Sequence, residues 1–549
     1  VTTINTPLDP VQVEVIGSAL TSICDEMGEA LVKASYSPNI KERRDCTTCI
    51  FDIDGNALAQ AEHIPLHLGS LMGIVDAVLA RYPLDSIRDG DSFLGNDPHT
   101  GGGTHLPDIV LVTPIFVDGA LAGWATNLAH HADYADRGHE NIFQEGIRIP
   151  AVRIVRDGEF LDDILHLILT NMQVPLERIA DFNAQLAANK LGVERVREIA
   201  ARYGLETLKS AGLALLDYTE RKVRAGIREL PNGIYDFTDS FDSDELDHTF
   251  DISVRITVED ESMHLEFKAP EQVRASINMV RTALLATVYY AVKTVVGPDI
   301  PANAGLYRAI TAHAPEGSVL SCVSPAAVNG RTQLCQRVVD LVHGALAQAD
   351  PSKVIAACYG SVPATTFSGV NPRTGEYYVY LETIGGGLGA GGCWDGLNGV
   401  QSHITNTSNL PIESLEAEYP LFVEKYELVN GSGGAGEHRG GMGIHRRIRS
   451  EHDDCICDVS VSRLKSRPWG LQGGLPGASL RVEKNDGDTV TESVTRLNAG
   501  ESIAVLTAGG GGYGDPSKRP HETVLREIRE KRITPAEATE LYGLDPKLL

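Results

Sequence analysis

Apolar residues recur at helical spacing after Pro10, where Val13, Ile16, Leu20, Ile23, Met27, Leu31 and Ala34 mark one face of an amphipathic helix reaching about Tyr36. Ser37-Pro38-Asn39 ends it, since a proline disfavours helical backbone in the residue before it. The period then shortens. Cys46 to Phe51 and Ala57 to Glu62 flank the turn dipeptide Asp54-Gly55, and Ile109 to Val117 and Ala120 to Asn127 flank Asp118-Gly119. Both arrangements predict antiparallel hairpins with tight turns. From about Pro175 to Leu230 the pattern is helical again, with Leu186, Leu191, Val196, Ile199, Leu205, Leu208 and Leu213 marking helices of moderate length. Strands are predicted from Gly233 to Pro270, where Phe250 to Ile256 alternates polar and apolar positions. Two helices, Met279 to Val296 and Leu334 to Ala349, precede a glycine-rich stretch of short strands that runs from Val354 to Asp515. Terminal helices are predicted over Pro520 to Lys531 and Pro535 to Tyr542. The fold class is therefore α+β and multi-domain. Its expected regions are 1–170 with the hairpins, a helical and mixed region 171–350, a β-rich region 351–515, and terminal helices 516–549.

The second hairpin carries the chemistry. Folding about Asp118-Gly119 with a two-residue turn places Asp108 opposite Ala129 and Pro107 opposite His130. His105, Asp108 and His130 therefore meet at one ribbon end. Two imidazoles and a carboxylate suit a borderline divalent cation such as zinc, manganese or iron, with positions left for water. By the same folding, Asp45 returns opposite Ile64, beside His63, at a ribbon end next to a loop that carries His63 and His67.

Composition narrows the function. A chain of 549 residues exceeds what one growing core supports. A net charge of -26 lacks the lysine and arginine excess needed for nucleic acid or anionic membranes. No apolar run is long enough for a bilayer span, and no signal-peptide pattern opens the chain. Nine cysteines without regular spacing point to a reducing compartment, so the expected location is cytoplasmic. Cys46 with Cys49 and Cys455 with Cys457 lie in strand-like stretches, where cysteine is expected to be a small buried apolar residue. The glycine clusters 385–392, 431–443 and 509–514 lack the lysine and hydroxyl of a phosphate loop, and none opens a predicted helix. They read as tight turns and close backbone contacts. No glycine-flanked elbow serine is present, and neither Cys335 nor Cys393 has a neighbour that would stabilise a thiolate.

Several segments resemble the hydantoinase B/oxoprolinase family. They include Ser37 to Asp45, Ala59 to Pro65, Asn96-Asp97-Pro98, Gly103 to Asp108, Ala129 to Asp133 and Phe143 to Pro150. Thr405-Asn406-Thr407, Ser432 to Gly436 and Gly509 to Gly514 extend the likeness over nearly the whole chain. The resemblance implies that Asp45, His105, Asp108 and His130 ligate one divalent metal, with zinc the first choice and manganese or iron the alternatives. It also implies a hydantoinase A-type partner that binds ATP with magnesium and phosphorylates the carbonyl oxygen of a small cyclic amide, in a heterotetramer or larger assembly. The implied reaction is hydrolysis of a hydantoin, 5-oxoproline or lactam. The alternatives are ATP-dependent carboxylation of a ketone and a non-catalytic scaffold. His131, Asp133 and His63 are candidates for proton transfer or for orienting the ligands. One departure is local: relatives continue His-His-Ala-Asp with Val-Gly-Gly, whereas Tyr134-Ala135-Asp136-Arg137-Gly138 stands here.

Overall fold

The computed structural model describes residues 9–61, 63–132, 135, 137–485, 487–490 and 492–548. Among the described residues, four sheets and twelve α-helices make up a mixed α/β architecture. The first helix, α1 (Pro10–Ala34), starts where Asp9 accepts a hydrogen bond from the Val11 N–H, and it buries Ile16, Leu20, Ile23, Met27 and Leu31. Two short helices follow in the amino-terminal region, α2 (Pro38–Lys41) and α3 (His67–Ser70), and then α4 (Ile74–Arg81).

Both predicted hairpins form, β1 (Cys46–Phe51) with β2 (Ala57–Gln60) and β4 (Asp108–Val117) with β5 (Ala120–His130). They belong to one seven-stranded sheet in the order β2-β1-β5-β4-β3-β6-β7, with β3 (Ser92–Gly95), β6 (Val152–Arg156) and β7 (Glu159–Phe160). The joint between the hairpins is β1 against β5, antiparallel, with Cys46 opposite Ala129.

One register differs from the simple hairpin expectation. Phe116 faces Leu121 but Ile115 faces Gly123, so Ala122 is an extra residue that bulges from β5. Beyond the bulge every pair moves by one, and Asp108 stands directly opposite His130, not opposite Ala129.

After α5 (Asp162–Thr170), the helical middle is longer than its pattern suggests, with α6 (Pro175–Tyr203) of 29 residues and α7 (Leu205–Arg228) of 24. The apolar signal of α6 is weak because its sheet-facing side is partly polar. Gln185 and Asn189 are fully buried and donate to the Ile109 and Leu111 carbonyls of β4. A second sheet, β8 (Gly233–Phe241), β9 (Phe250–Glu259), β10 (Ser262–Lys268) and β11 (Ile310–His313), shares the largest apolar core with α8 (Arg281–Val296) and α9 (Arg331–Leu346).

The carboxyl-terminal part holds two sheets. One orders β13 (Tyr377–Thr383), β12 (Ala364–Val370), β16 (Cys455–Ser460) and β19 (Val494–Leu497). The other orders β14 (Leu421–Leu428), β15 (Ile444–Ser450), β20 (Ser502–Leu506), β17 (Arg481–Lys484) and β18 (Asp488–Thr489). Helix α10 (Ile412–Glu418) precedes β14, and α11 (His521–Arg529) and α12 (Pro535–Tyr542) close the fold. The three glycine clusters pack backbone on backbone. A Cβ at Gly441 would lie 1.8 Å from the Leu397 carbonyl oxygen, which no side chain tolerates. Cys46, Cys49, Cys455 and Cys457 are buried strand residues with free thiols. Among the described residues, no helix is long and apolar enough to cross a membrane.

Candidate metal centre

Strand pairing builds the site. Residues opposite one another on neighbouring strands project to the same face. Cys46 opposite Ala129 and Asp108 opposite His130 therefore put Asp45, His130 and Asp108 in one row at the sheet's end. The row is tied by the His130 N–H donating to the Asp45 carbonyl (3.0 Å) and by the His131 N–H donating to the Pro107 carbonyl (2.8 Å). His105 arrives from the loop before β4. That loop folds over at Gly103, which has φ +75° and would place a Cβ 2.8 Å from Asp108. Asn96 holds the loop down by donating to the Leu106 carbonyl at 2.8 Å.

His105, Asp108 and His130 are buried, and one ligand atom from each lies within 4.8 Å of the others. His105 Nδ1 is 3.0 Å from Asn329 Oδ1, so it carries the proton and Nε2 presents a lone pair. That lone pair lies 3.2 Å from Asp108 Oδ1, yet among the described residues neither atom makes a hydrogen bond. Asn39 Nδ2 stands 2.8 Å from His130 Nδ1 and holds that ring in place. Asp108 spends its other oxygen on Arg331 Nη2 (3.0 Å) and on the Thr104 hydroxyl (3.3 Å). Asp45 lines the same cavity, but its oxygens are not part of the tight trio, and its nearest imidazole is His67 Nε2 at 4.0 Å.

Electrostatics favour ligand-ready protonation states. Burial, reinforced by Arg331, pushes the His105 imidazole down, and burial with His105 nearby pushes His130 well below its ordinary value. Burial would raise the Asp108 carboxyl, but His105 and Arg331 outweigh it and hold it well below the carboxylate range. Asp45 is shifted up by burial, against the pull of His67 and Arg43.

The cavity in front of this row has a volume of about 90 Å³ and draws its walls from distant parts of the chain, including Asn329, Arg331, Thr383, Thr405 and Thr407. A second group of lining residues, His139, Asp458, Asp244 and Glu245, is acidic. His139 Nε2 sits 3.4 Å from Asp458 Oδ2, which raises the imidazole to about 9 despite burial.

Other sequence candidates lie elsewhere. His131 points to the opposite face, where Nε2 meets Gln185 Oε1 at 3.1 Å and the ring packs on Phe182. Burial pushes it down to about 4. His63 packs against α1, where a Cβ at Gly28 would touch its ring, and it lines a different cavity. Of the two histidines in that loop, His67 is the one beside Asp45, because the turn entering α3 carries it inward. Asp133, Tyr134 and Asp136 lie outside the described residues. Asn329 and Arg331 carry no local signal, being over two hundred residues from the hairpin they serve. Asn39 lies in Ser37 to Asp45, a segment that carries the family resemblance, but has no chemistry that marks it as a histidine's partner.

Fold and site together define a four-sheet protein with a buried imidazole–carboxylate cluster suited to a divalent cation. The chain belongs to the hydantoinase B/oxoprolinase family, whose model matches residues 9–516. An uncharacterised protein of Methanocaldococcus jannaschii is 35% identical over 543 residues, 96% of this chain and 94% of that one. The β subunit of caprolactamase from Pseudomonas jessenii is 29% identical over 98% of this chain and 96% of its own length. The crystal structure of the ATP-dependent caprolactamase from that organism superposes with a TM-score of 0.90, at 27% identity, over 99% of this chain and 98% of that chain. Acetone carboxylase, in a nucleotide-free structure, has the same fold, with a TM-score of 0.90 over 98% of this chain and 80% of that one, at 18% identity.

Proposed function

We propose that this chain is the metal-binding subunit of an ATP-dependent cyclic amide hydrolase, opening a hydantoin, 5-oxoproline or lactam ring whose carbonyl oxygen has first been phosphorylated. The observation that carries the reading is the buried pair His105 Nε2 and Asp108 Oδ1, 3.2 Å apart without a hydrogen bond. Two lone pairs facing each other in dry surroundings repel unless a positive charge lies between them. His105, Asp108 and His130 would hold that charge as a divalent cation, with Asp45 completing the set from the same strand-end row. Two imidazoles and two carboxylates suit zinc first, with manganese or iron as alternatives. When bound, the cation supplies Lewis acidity and makes water a nucleophile near neutral pH.

The chain's own residues do the rest. Asn329 and Asn39 orient the two imidazoles, Arg331 and Thr104 hold the Asp108 carboxylate, and Glu145 grips the loop that carries Asn329 through its N–H at 2.7 Å. His131 contributes through its backbone bond to Pro107, which ties the His105 loop to β5. ATP with magnesium belongs to a partner of the hydantoinase A type. The chain has no lysine-bearing phosphate loop, and its caprolactamase relative is a β subunit of an enzyme described as ATP-dependent. The assembly is a heterotetramer or larger.

A second reading, ATP-dependent carboxylation of a ketone, is supported by the fold shared with acetone carboxylase. Hydrolysis is preferred because the caprolactamase likeness is higher in identity and spans both chains almost completely. The test is the reconstituted complex with ATP and a panel of hydantoins, lactams and ketones. Ring opening with phosphate release, independent of bicarbonate, is expected; turnover of a ketone only with bicarbonate would overturn the reading. Full metal content and activity in His105→Ala would leave only a scaffold role.

A further inference from the structure

We propose that Arg43 is the anion anchor of the metal cavity, reading the phosphoryl group of the activated substrate. The inference rests on the hydrolase reading above, since that reading supplies a phosphorylated species. Arg43 is only 1% exposed, yet its guanidinium lines the cavity next to the metal row. Its donors go to neutral acceptors: Nη1 to Asn39 Oδ1 and to the Leu381 carbonyl (3.1 Å), Nη2 to the Thr383 hydroxyl (3.2 Å). Among the described residues, Nε has no hydrogen-bond partner. Among the described residues, no carboxylate oxygen lies within 4.0 Å of the Arg43 nitrogens. A buried guanidinium with no carboxylate in direct contact is costly, and a structural tie between segments does not require one.

Arg331 is different, because Asp108 meets its charge at 3.0 Å. The metal row brings two carboxylates, Asp45 and Asp108, against two guanidiniums, Arg43 and Arg331. A phosphoryl group offers both negative charge and the oxygen spacing that a guanidinium fork matches. Through Asn39, Arg43 is joined to His130, so anion and metal are held on one hydrogen-bonded frame.

The probes are inorganic phosphate, phenyl phosphate and acetate, titrated calorimetrically into the full chain at constant ionic strength, with metal content measured in parallel. Wild type is expected to bind phosphate, and acetate about tenfold or more weakly than phosphate. Phenyl phosphate binding more tightly than free phosphate identifies an ester as the natural ligand, and the reverse order identifies released phosphate. Arg43→Gln should weaken phosphate by about tenfold or more with metal content unchanged. If that variant does not fold, Arg43→Lys is read instead. Lysine keeps the charge and loses the fork, so a weakening of several-fold is expected. Wild type that binds no phosphate, acetate that binds as tightly as phosphate, or a folded Arg43 variant with unchanged affinity would each overturn the proposal. Its fate is separable from that of the reaction. Arg43-dependent phosphate binding in a complex that opens no ring keeps the anion site and removes the hydrolase, whereas ring opening with an Arg43-independent phosphate affinity does the opposite.

Discussion

His105, Asp108 and His130 are useful only because other residues dictate which atoms they present. Asn329 accepts from the proton-bearing Nδ1 of His105, which leaves Nε2 free for a cation, and Asn39 lies against His130 Nδ1 and fixes the orientation of that ring. Removing such an orienting group leaves the ligands in place but lets the rings turn. Asn329→Ala is therefore expected to keep the fold and lose about 10–100-fold in metal affinity, read by competition with a chelator. His131→Ala is the contrasting variant. Its ring faces Gln185 on the other side of the sheet, so bound metal should stay at the wild-type level in elemental analysis, while thermal stability falls through lost packing on Phe182. A metal-free but folded His131 variant would contradict this placement.

The sheet converts distant residues into a row, and its accuracy depends on one bulge. Ala122 is the extra residue in β5, and without it the ribbon would pair Asp108 with Ala129. A one-residue slip moves every side chain of a strand to the other face, so His130 would leave the cavity. Deleting Ala122 should produce a folded protein whose metal content drops below about a tenth of wild type, because register errors displace ligands completely. Undiminished metal in a folded deletion variant would mean that β1 on the other edge of β5, and not the bulge, sets the register.

The site belongs to the molecule as a whole. The strand row lies within the first 131 residues, yet Asn329 and Arg331 come from the start of α9, and Leu381 and Thr383 come from β13. The segment 1–170 prepared alone is therefore expected to bind metal far more weakly than the full chain, even where it retains strand structure by circular dichroism. Equal affinity would show that the distant walls are dispensable. At the scale of the assembly, the isolated full chain should neither hydrolyse ATP nor turn over substrate, and both activities should appear when the A-type partner is added. ATP hydrolysis by the chain alone, with a steady-state phosphate assay as the readout, would overturn the division of labour.

The hairpins, α1, the strand-rich stretch after Gly233 and the terminal helices were legible because each depends on short-range period and turn chemistry, which a sequence carries locally. The meeting of His105 and Asp108 with His130 was legible for the same reason, since a tight turn converts sequence separation into opposition across a ribbon. Local pattern could not reveal the bulge at Ala122, for an extra residue in a strand leaves no signature when its neighbours are all apolar or small. Nor could it reveal which histidine of the loop after β2 faces Asp45, since His63 and His67 differ only in how a short turn rotates them. The polar face of α6 hid the length of that helix, because Gln185 and Asn189 look exposed until the β4 carbonyls they satisfy are in place. Asn329, Arg331 and the cavity itself were decided by tertiary structure alone. Their roles depend on which parts of the chain become neighbours after the cores form, and packing between distant segments is not written at any one position.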